Sequence, residues 1–274
     1  MFETFTLIAG PCVLEGDELN LEVARAVRGW GETFGLPVIF KASFDKANRS
    51  KMDSARGPGL RDGLELLTTV KTETGMTILT DVHEPVQVER VAHVVDVLQI
   101  PAFLCRQTDL LVAAGAAGKP VNIKKGQWMS PTDMAGAIDK LRSAGAPDVA
   151  VTERGTFFGY GNLVVDMRSF TDGRAATEAP IIFDGTHSVQ RPGQADGSSG
   201  GDPEHVPALV RAAVAAGCDG LFLETHPRPS DAPSDGSNML PLGRVASLLR
   251  EVVAIRAAIE TSSGADAEPG SAAP

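Results

Sequence analysis

The chain has 274 residues, of which 43% are hydrophobic, and its 25 Lys and Arg against 35 Asp and Glu leave a formal net charge of −10. That length suits one barrel-sized domain of about 250 residues or two small ones, and an acidic balance argues against a nucleic-acid partner, because phosphate backbones recruit basic faces. No apolar run approaches the roughly 18–20 residues of a membrane span, Met1–Gly10 lacks the basic start and long apolar stretch of a secretory signal, and three cysteines (Cys12, Cys105, Cys218) make a poor disulfide framework; together these predict a protein of a reducing cytoplasm.

In chain order, apolar runs rich in Val, Ile and Leu occur at Leu7–Pro11, Pro37–Phe44, Thr77–Val82, Val97–Phe103, Pro120–Gly126, Val149–Gly155, Pro180–His187 and Gly220–Pro227. Near-continuous apolar runs predict strands covered on both faces. Helical spacing predicts helices over Asp17–Phe34, Leu60–Lys71, Thr132–Ala144, Pro207–Ala216 and Leu242–Ile259, with a weaker helical pattern over Leu163–Pro180. Strand and helix alternating eight times predict an α/β fold, a closed (β/α)8 barrel over residues 1–260, with an open doubly wound sheet as the alternative. Ser188–Pro203 and Pro227–Pro241 are rich in Gly, Pro and Ser and read as lids or disordered loops. Residues 261–274 read as a disordered tail.

The polar residues that end each run carry the functional signal. They are Cys12; Lys41, Ser43 and Lys46; Asp81 and His83; Gln99 and Arg106; Lys124 and Lys125; Glu153 and Arg154; Asp184 and His187; and Glu224 and His226. In a barrel these ends gather at one mouth, where active sites lie. Lys41, Lys46, Arg49, Arg106, Lys124 and Arg154 would make that mouth basic in an otherwise acidic protein, which predicts small, multiply anionic ligands. Taken singly, each of these charges also suits a solvated strand end. Cys12, His187, Glu224 and Asp235 offer a thiolate, an imidazole and two carboxylates, a donor set for a divalent transition metal. Alone, Cys12 equally suits a buried thiol and His187 a hydrogen-bonded pocket histidine. Cys105 and Cys218 read as core thiols, His93 and His205 as surface residues, and Gly155–Gly161 as a shaped loop without phosphate-loop spacing.

Nine stretches carry a family resemblance. They are IAGPCVLE (Ile8–Glu15), FKASFDKANRS (Phe40–Ser50), RGPGL (Arg56–Leu60), TDVHE (Thr80–Glu84), QIPAFLCRQTDLL (Gln99–Leu111), NIKKGQ (Asn122–Gln127), TERGTFFGYGNLVVDMRS (Thr152–Ser169), FDGTHSVQ (Phe183–Gln190) and ETHPRPSDAPSDG (Glu224–Gly236). In that order they resemble the 3-deoxy-D-manno-octulosonate 8-phosphate synthases over almost the whole chain. The resemblance implies condensation of phosphoenolpyruvate with D-arabinose 5-phosphate and water, giving the eight-carbon sugar acid phosphate of lipopolysaccharide synthesis and inorganic phosphate. It further implies a cytoplasmic homotetramer. By position, Lys41, Ser43, Lys46, Gln99, Arg106, Lys124 and Arg154 resemble the phosphoenolpyruvate site. Asn48, Arg49, Ser50 and Asp81 resemble the pentose phosphate site, and the ANRS stretch weighs against the sister synthase that uses another aldose phosphate. Cys12, where the metal-free branch has Asn, together with His187, Glu224 and Asp235, resembles the metal-dependent branch, with Fe2+, Zn2+ and Mn2+ all suited to the ligand types. Lys46, Lys124, His187 and Asp235 are the candidates for moving protons. A lysine Schiff-base aldolase using Lys41 or Lys124, and a barrel that only binds sugar phosphate, are the rival readings. The sequence departs from the family pattern at Asp202–Pro203 and at Lys51–Ala55.

Overall fold

The computed structural model describes residues 1–49, 51–157, 161–191 and 200–265. Eight parallel strands form its centre: β1 (Thr6–Gly10), β2 (Val38–Lys41), β3 (Thr77–Asp81), β4 (Val97–Ile100), β5 (Val121–Lys124), β6 (Val149–Glu153), β7 (Ile181–Asp184) and β8 (Gly220–His226). Each pairs with the next in sequence, and β8 closes on β1 with Thr6 opposite Gly220 and Gly10 opposite Glu224. The sheet is therefore a closed (β/α)8 barrel and has no free edge. The open-sheet alternative is excluded by the β1–β8 pairing.

The eight apolar runs all become strands, each trimmed at its C-terminal end, and the first begins one residue earlier, at Thr6. The fourth run stops at Ile100 because Pro101 has no N–H for the ladder, and Ala102–Leu104 turns into a 3-10 helix. The helices are α1 (Asp17–Phe34), α2 (Gly59–Thr74), α3 (Pro85–Ala92), α4 (Thr108–Ala116), α5 (Ala135–Ser143), α6 (Ser169–Thr177), α7 (Val206–Ala215) and α8 (Leu242–Ala265). The sequence reading did not delimit α3 and α4, whose eight or nine residues give the helical period little room. The start of α3 is nonetheless written locally: Glu84 and Gln87 form a reciprocal capping box and Pro85 occupies the first turn. Leu163–Pro180 needs a larger correction. Leu163–Val164 pairs antiparallel with Thr156–Phe157, as suits adjacent β-favouring side chains, and the helix begins only at Ser169. At the other end, α8 runs past Ile259 to Ala265, with the Thr261 hydroxyl donating back to the Ala257 carbonyl, so the first residues read as tail are helical. Residues 266–274 lie outside those described.

The barrel interior has two storeys. The lower one is apolar: Ile8, Ile39, Leu79, Val97, Ala150, Ile182 and Phe222 pack together, and Phe2 closes the bottom. The main core, between strands and helices, is a separate apolar cluster that includes Cys105 and Cys218. The upper storey is polar and fully covered: Lys41, Ser43, Gln99, Asn122, Thr152, Asp184 and Glu224 are all buried. Buried polar groups at such density persist only if they satisfy one another or await a ligand.

Candidate active site at the barrel mouth

Gly10 ends β1 and sets the depth of the site. A Cβ there would lie 2.0 Å from the Lys41 carbonyl oxygen, so only glycine lets the β1 and β2 ends approach. The chain then turns through Pro11 and places Cys12 beside the start of the pocket. The Cys12 carbonyl accepts a 3.0 Å bond from Lys41 Nζ, which also reaches Glu224 Oε1 at 2.6 Å. Both side chains of that ion pair are buried, at 2% and 0% exposure, so removing either partner would strand a charge.

Cys12 Sγ lies 3.1 Å from Asp235 Oδ2 and 3.2 Å from Ser234 Oγ, and donor atoms of Cys12, Glu224 and Asp235 lie within 4.8 Å of one another. Asp235 has φ 52°, a left-handed conformation uncommon for a non-glycine residue and found preferentially at functional positions. Burial, followed by the charge of Glu224, pushes the Cys12 thiol well above its ordinary pKa. Asp235 is held below the carboxylate range: burial works against this, but the charges of His187 and Lys46 outweigh it.

His187 joins this group from β7. Its Nδ1 is 2.7 Å from Asp184 Oδ2, and its Nε2 is 3.4 Å from Glu224 Oε2. In its neutral form, with the proton on Nδ1 toward the carboxylate, the ring would offer Nε2 to a metal. Glu224 Oε2 is buried and has no hydrogen-bond partner among the described residues. A thiol, two carboxylates and an imidazole nitrogen converging in one buried pocket suit a divalent metal, so the residues present fit one held by Cys12, His187, Glu224 and Asp235.

The basic half of the mouth is equally buried. Lys124 Nζ donates to Asp184 Oδ2 in a short contact and sits 3.0 Å from the centroid of the Phe222 ring. Desolvation lowers Lys124 from 10.5 to about 8, against the raising effect of Asp184. Lys46, half-buried, donates to Ser43 Oγ at 2.9 Å; burial works to lower it, but the charges of Glu224, Asp81 and Asp235 outweigh this and hold it above the usual lysine range. Asp81 accepts from Ser43 and Gln99 and stays ionised, because Lys41 and Lys46 outweigh its burial. Arg154 donates to Gln190 through Nη2, while its buried Nη1 has no partner among the described residues. An orphaned guanidinium N–H and an orphaned carboxylate oxygen in one pocket mark sites for an anion and a cation.

Other predicted site residues stand further out. Arg49 ties two loops together, donating to Ala55 O at 2.9 Å and to Pro233 O at 3.2 Å, and Asn48 beside it is exposed. Ser50 lies outside the described residues. Arg106 is exposed one residue beyond buried Cys105, and among the described residues no hydrogen bond or ion pair ties it to the pocket. Lys125 and Glu153 turn aside: Lys125 Nζ is held by Met129 O, Thr156 Oγ1 and Glu153 Oε1, which ties the loops after β5 and β6. His226 donates from Nε2 to Glu15 and accepts from the Arg228 N–H, so it anchors the start of the last loop. His93 and His205 are exposed, as expected.

Of the two long loops, Pro227–Pro241 is more regular than its composition suggests. Pro227–Pro241 contains a 3-10 turn, and its end pairs with β8, so the segment that carries Asp235 is fixed at both ends. In the other, Gln190–Arg191 pairs with Gly200–Gly201, and Asp202 binds Arg191 at 2.6 Å. The atypical acid after the Gly-Gly pair thus closes the base of its own loop. Residues 192–199 lie outside the described residues.

Sequence reasoning placed Asp184 among the strand ends at the mouth but gave it no role, and it gave Gln190, Ser234, Asn122 and Thr152 no place in the site. Asp184 had a usable signal, since it is an acid at the end of an apolar strand, three residues before His187. For Gln190 and Ser234 the signal exists only once the loops are placed.

A family model described as the DAHP synthetase I family matches residues 3–261. The chain is 54% identical over 249 residues to 2-dehydro-3-deoxyphosphooctonate aldolase of Nitratidesulfovibrio vulgaris, covering 91% of each chain. Against the protein of the same name from Syntrophotalea carbinolica it is 54% identical over 254 residues, 93% of this chain and 91% of the relative. For the Rhodopseudomonas palustris protein, also so named, the figures are 53% over 260 residues, 95% and 91%.

Proposed function

Because the chain belongs to the DAHP synthetase I family, we propose that it condenses phosphoenolpyruvate with D-arabinose 5-phosphate and water, releasing inorganic phosphate and the eight-carbon 3-deoxy sugar acid phosphate named in its relatives. The observation that carries this reading is the pocket's mixed electrostatics: an Arg154 N–H without a partner among the described residues and the Lys41, Lys46 and Lys124 side chains for anions, and beside them the Cys12, Glu224 and Asp235 donors.

The residues divide the work as follows. Arg154, Lys41, Lys46 and Lys124 hold two mutually repelling anionic substrates within reach of each other, which supplies orientation and charge stabilisation. Lys41, Ser43, Lys46, Gln99, Lys124 and Arg154 form the phosphoenolpyruvate side. Asp81, Asn48 and Arg49 face the pentose phosphate, with Ser50 assigned there by position. C3 of phosphoenolpyruvate attacks the aldehyde carbon of the pentose, and the aldehyde oxygen takes a proton, for which Lys124 is placed in the buried floor. Water adds at C2, losing a proton toward Asp235, or toward His187 when its Nε2 is free of the cation, and the C2–O bond to phosphate breaks. A divalent cation held by Cys12, His187, Glu224 and Asp235 would supply Lewis-acid polarisation. Asp184 keeps His187 Nε2 directed at that position.

The direct test is phosphate release from phosphoenolpyruvate with arabinose 5-phosphate and competing aldose phosphates. Release only with a four-carbon phosphate would favour the sister synthase, and none with any aldose would leave a binding barrel. Borohydride should trap no lysine adduct, because carbonyl addition here needs no imine. Arg49→Ala is expected to raise the KM for arabinose 5-phosphate about tenfold, the loss of one charge-assisted contact. A raised KM for phosphoenolpyruvate alone would reverse the two subsites.

We further read residues 1–260 as one catalytic unit, acting in the cytoplasm as a homotetramer. The stacked, half-exposed Phe103 and Trp128 at the barrel rim support an oligomeric contact, since interfaces favour such aromatics. Sedimentation analysis checks the assembly.

A further inference from the structure

The upper storey holds a hydrogen-bonded ladder that crosses four consecutive strands, β6 to β3, and ends in the loop after β2. Thr152 Oγ1 donates to Asn122 Oδ1 at 2.7 Å, and Asn122 Nδ2 donates to Gln99 Oε1 at 2.8 Å. Gln99 Nε2 then donates to Asp81 Oδ1, while Ser43 Oγ donates to Asp81 Oδ2 and accepts from Lys46 Nζ at 2.9 Å. Thr152, Asn122 and Ser43 are 0% exposed and Gln99 is 2% exposed, so no bulk water substitutes for a lost rung.

The ends of this ladder fix its direction. Lys46 has no lone pair and can only donate; ionised Asp81 has no proton and can only accept. Ser43, with one proton, must therefore accept from the lysine and give to the carboxylate. Gln99 must turn its NH2 to Asp81, which leaves its carbonyl for the NH2 of Asn122, and the Asn122 carbonyl is then completed by the Thr152 hydroxyl. Amide orientations that are ordinarily free to flip are determined here by charge at one end and by a single hydroxyl at the other.

We propose that Thr152 and Asn122 are positioning residues that act through Gln99 to hold the Asp81 carboxylate as a fixed acceptor, and that this orientation sets which aldose epimer the pocket accepts. The proposal rests on the aldose-phosphate reading above. Both Asp81 oxygens are already engaged by protein donors, so only their remaining lone pairs face the pocket. A carboxylate held in one orientation accepts a sugar hydroxyl from one direction. An epimer presents its proton elsewhere and leaves buried groups unpaired, the arrangement by which hydrogen-bonding sites discriminate most strongly. Neither Thr152 nor Asn122 needs to touch the sugar.

The experiment compares kcat/KM for arabinose 5-phosphate and for its C2 epimer, ribose 5-phosphate, at saturating phosphoenolpyruvate. The proteins are the unaltered chain, Thr152→Val, Thr152→Ser and Asn122→Asp. Thr152→Val removes the hydroxyl at nearly constant shape. The arabinose-to-ribose ratio is expected to fall about fivefold, the loss of one net hydrogen bond. Thr152→Ser should restore it. Asn122→Asp offers only acceptors to Gln99, turns its amide round and sets carbonyl against carboxylate, so the ratio should fall further. A purely structural defect lowers both substrates alike and leaves the ratio unchanged, because the ratio cancels the fraction of folded enzyme. An unchanged ratio in Thr152→Val, or a Thr152→Ser protein no better than it, overturns the proposal. An unaltered chain that turns over neither sugar refutes the functional reading instead.

Discussion

Stripping divalent metal with dipicolinate is expected to reduce turnover to background, and adding Mn2+, Fe2+ or Zn2+ to restore it. Donor atoms of Cys12, Glu224 and Asp235 lie within 4.8 Å of one another, His187 Nε2 lies 3.4 Å from Glu224 Oε2, and the thiol is desolvated, a donor set that a divalent cation would draw together. Cys12→Asn sharpens the test. The amide binds transition metals poorly, so the variant should lose its ion. It should still fold, because Glu224 keeps Lys41 at 2.6 Å and Asp235 keeps Gln190 at 3.1 Å, which leaves neither carboxylate without a partner. Appreciable activity that no longer responds to chelator is expected if the ion mainly orients groups. A folded, metal-free and inactive variant would assign the ion a direct chemical part. Full activity of native protein shown metal-free by elemental analysis would falsify the metal requirement, and a Cys12→Asn protein that keeps stoichiometric metal would remove Cys12 from the ligand set.

Lys124→Met should be the most damaging single substitution, lowering kcat by about 10^2–10^4 while sparing the fold. The side chains are close in length, and Met packs readily against Phe222. The variant does strand Asp184, but His187 Nδ1 and the His187 backbone N–H still donate to that carboxylate. The wild-type pH profile carries the same information. With Lys124 lowered to about 8, the ammonium is lost as pH rises through that value, and kcat should fall on the alkaline side. Stability should move the other way. Between about 8 and the unfolded value of 10.5 the unfolded chain binds more protons at this position than the folded one, so this lysine's contribution to stability rises with pH across that window. An alkaline limb unchanged in position in Asp184→Asn, which removes the raising influence on Lys124, would show that another group titrates.

The strands were legible because a strand covered on both faces needs an unbroken apolar run, and each of the eight runs is one. Helices α3 and α4 were not delimited, because two turns of helix carry too few apolar repeats to separate from a loop. At the site, the identities of the strand-end residues were readable, and closure of the barrel brings Cys12, Glu224 and Asp235 together from opposite ends of the sequence. Pairing was not readable. Nothing local to Lys125 says that it turns from the pocket into a cage of carbonyls while neighbouring Lys124 faces Asp184. Alternation along a strand places one of them inward, but which partner it finds depends on a strand 60 residues away.

Phe222 separates the two storeys, with aliphatic side chains beneath it and the Lys41 and Lys124 ammoniums within 5.5 and 3.0 Å of its ring centroid. The ring is thus an insulating floor: it keeps the local dielectric low under the charges and offers them a polarisable face. Thermostabilising this enzyme by repacking the barrel should therefore begin with Ile8, Leu79 or Ile182 and leave Phe222 alone. A smaller aliphatic at 222 would loosen the floor, admit water from above and detune the lysines, so an engineer would see a stability defect and an electrostatic one arrive together.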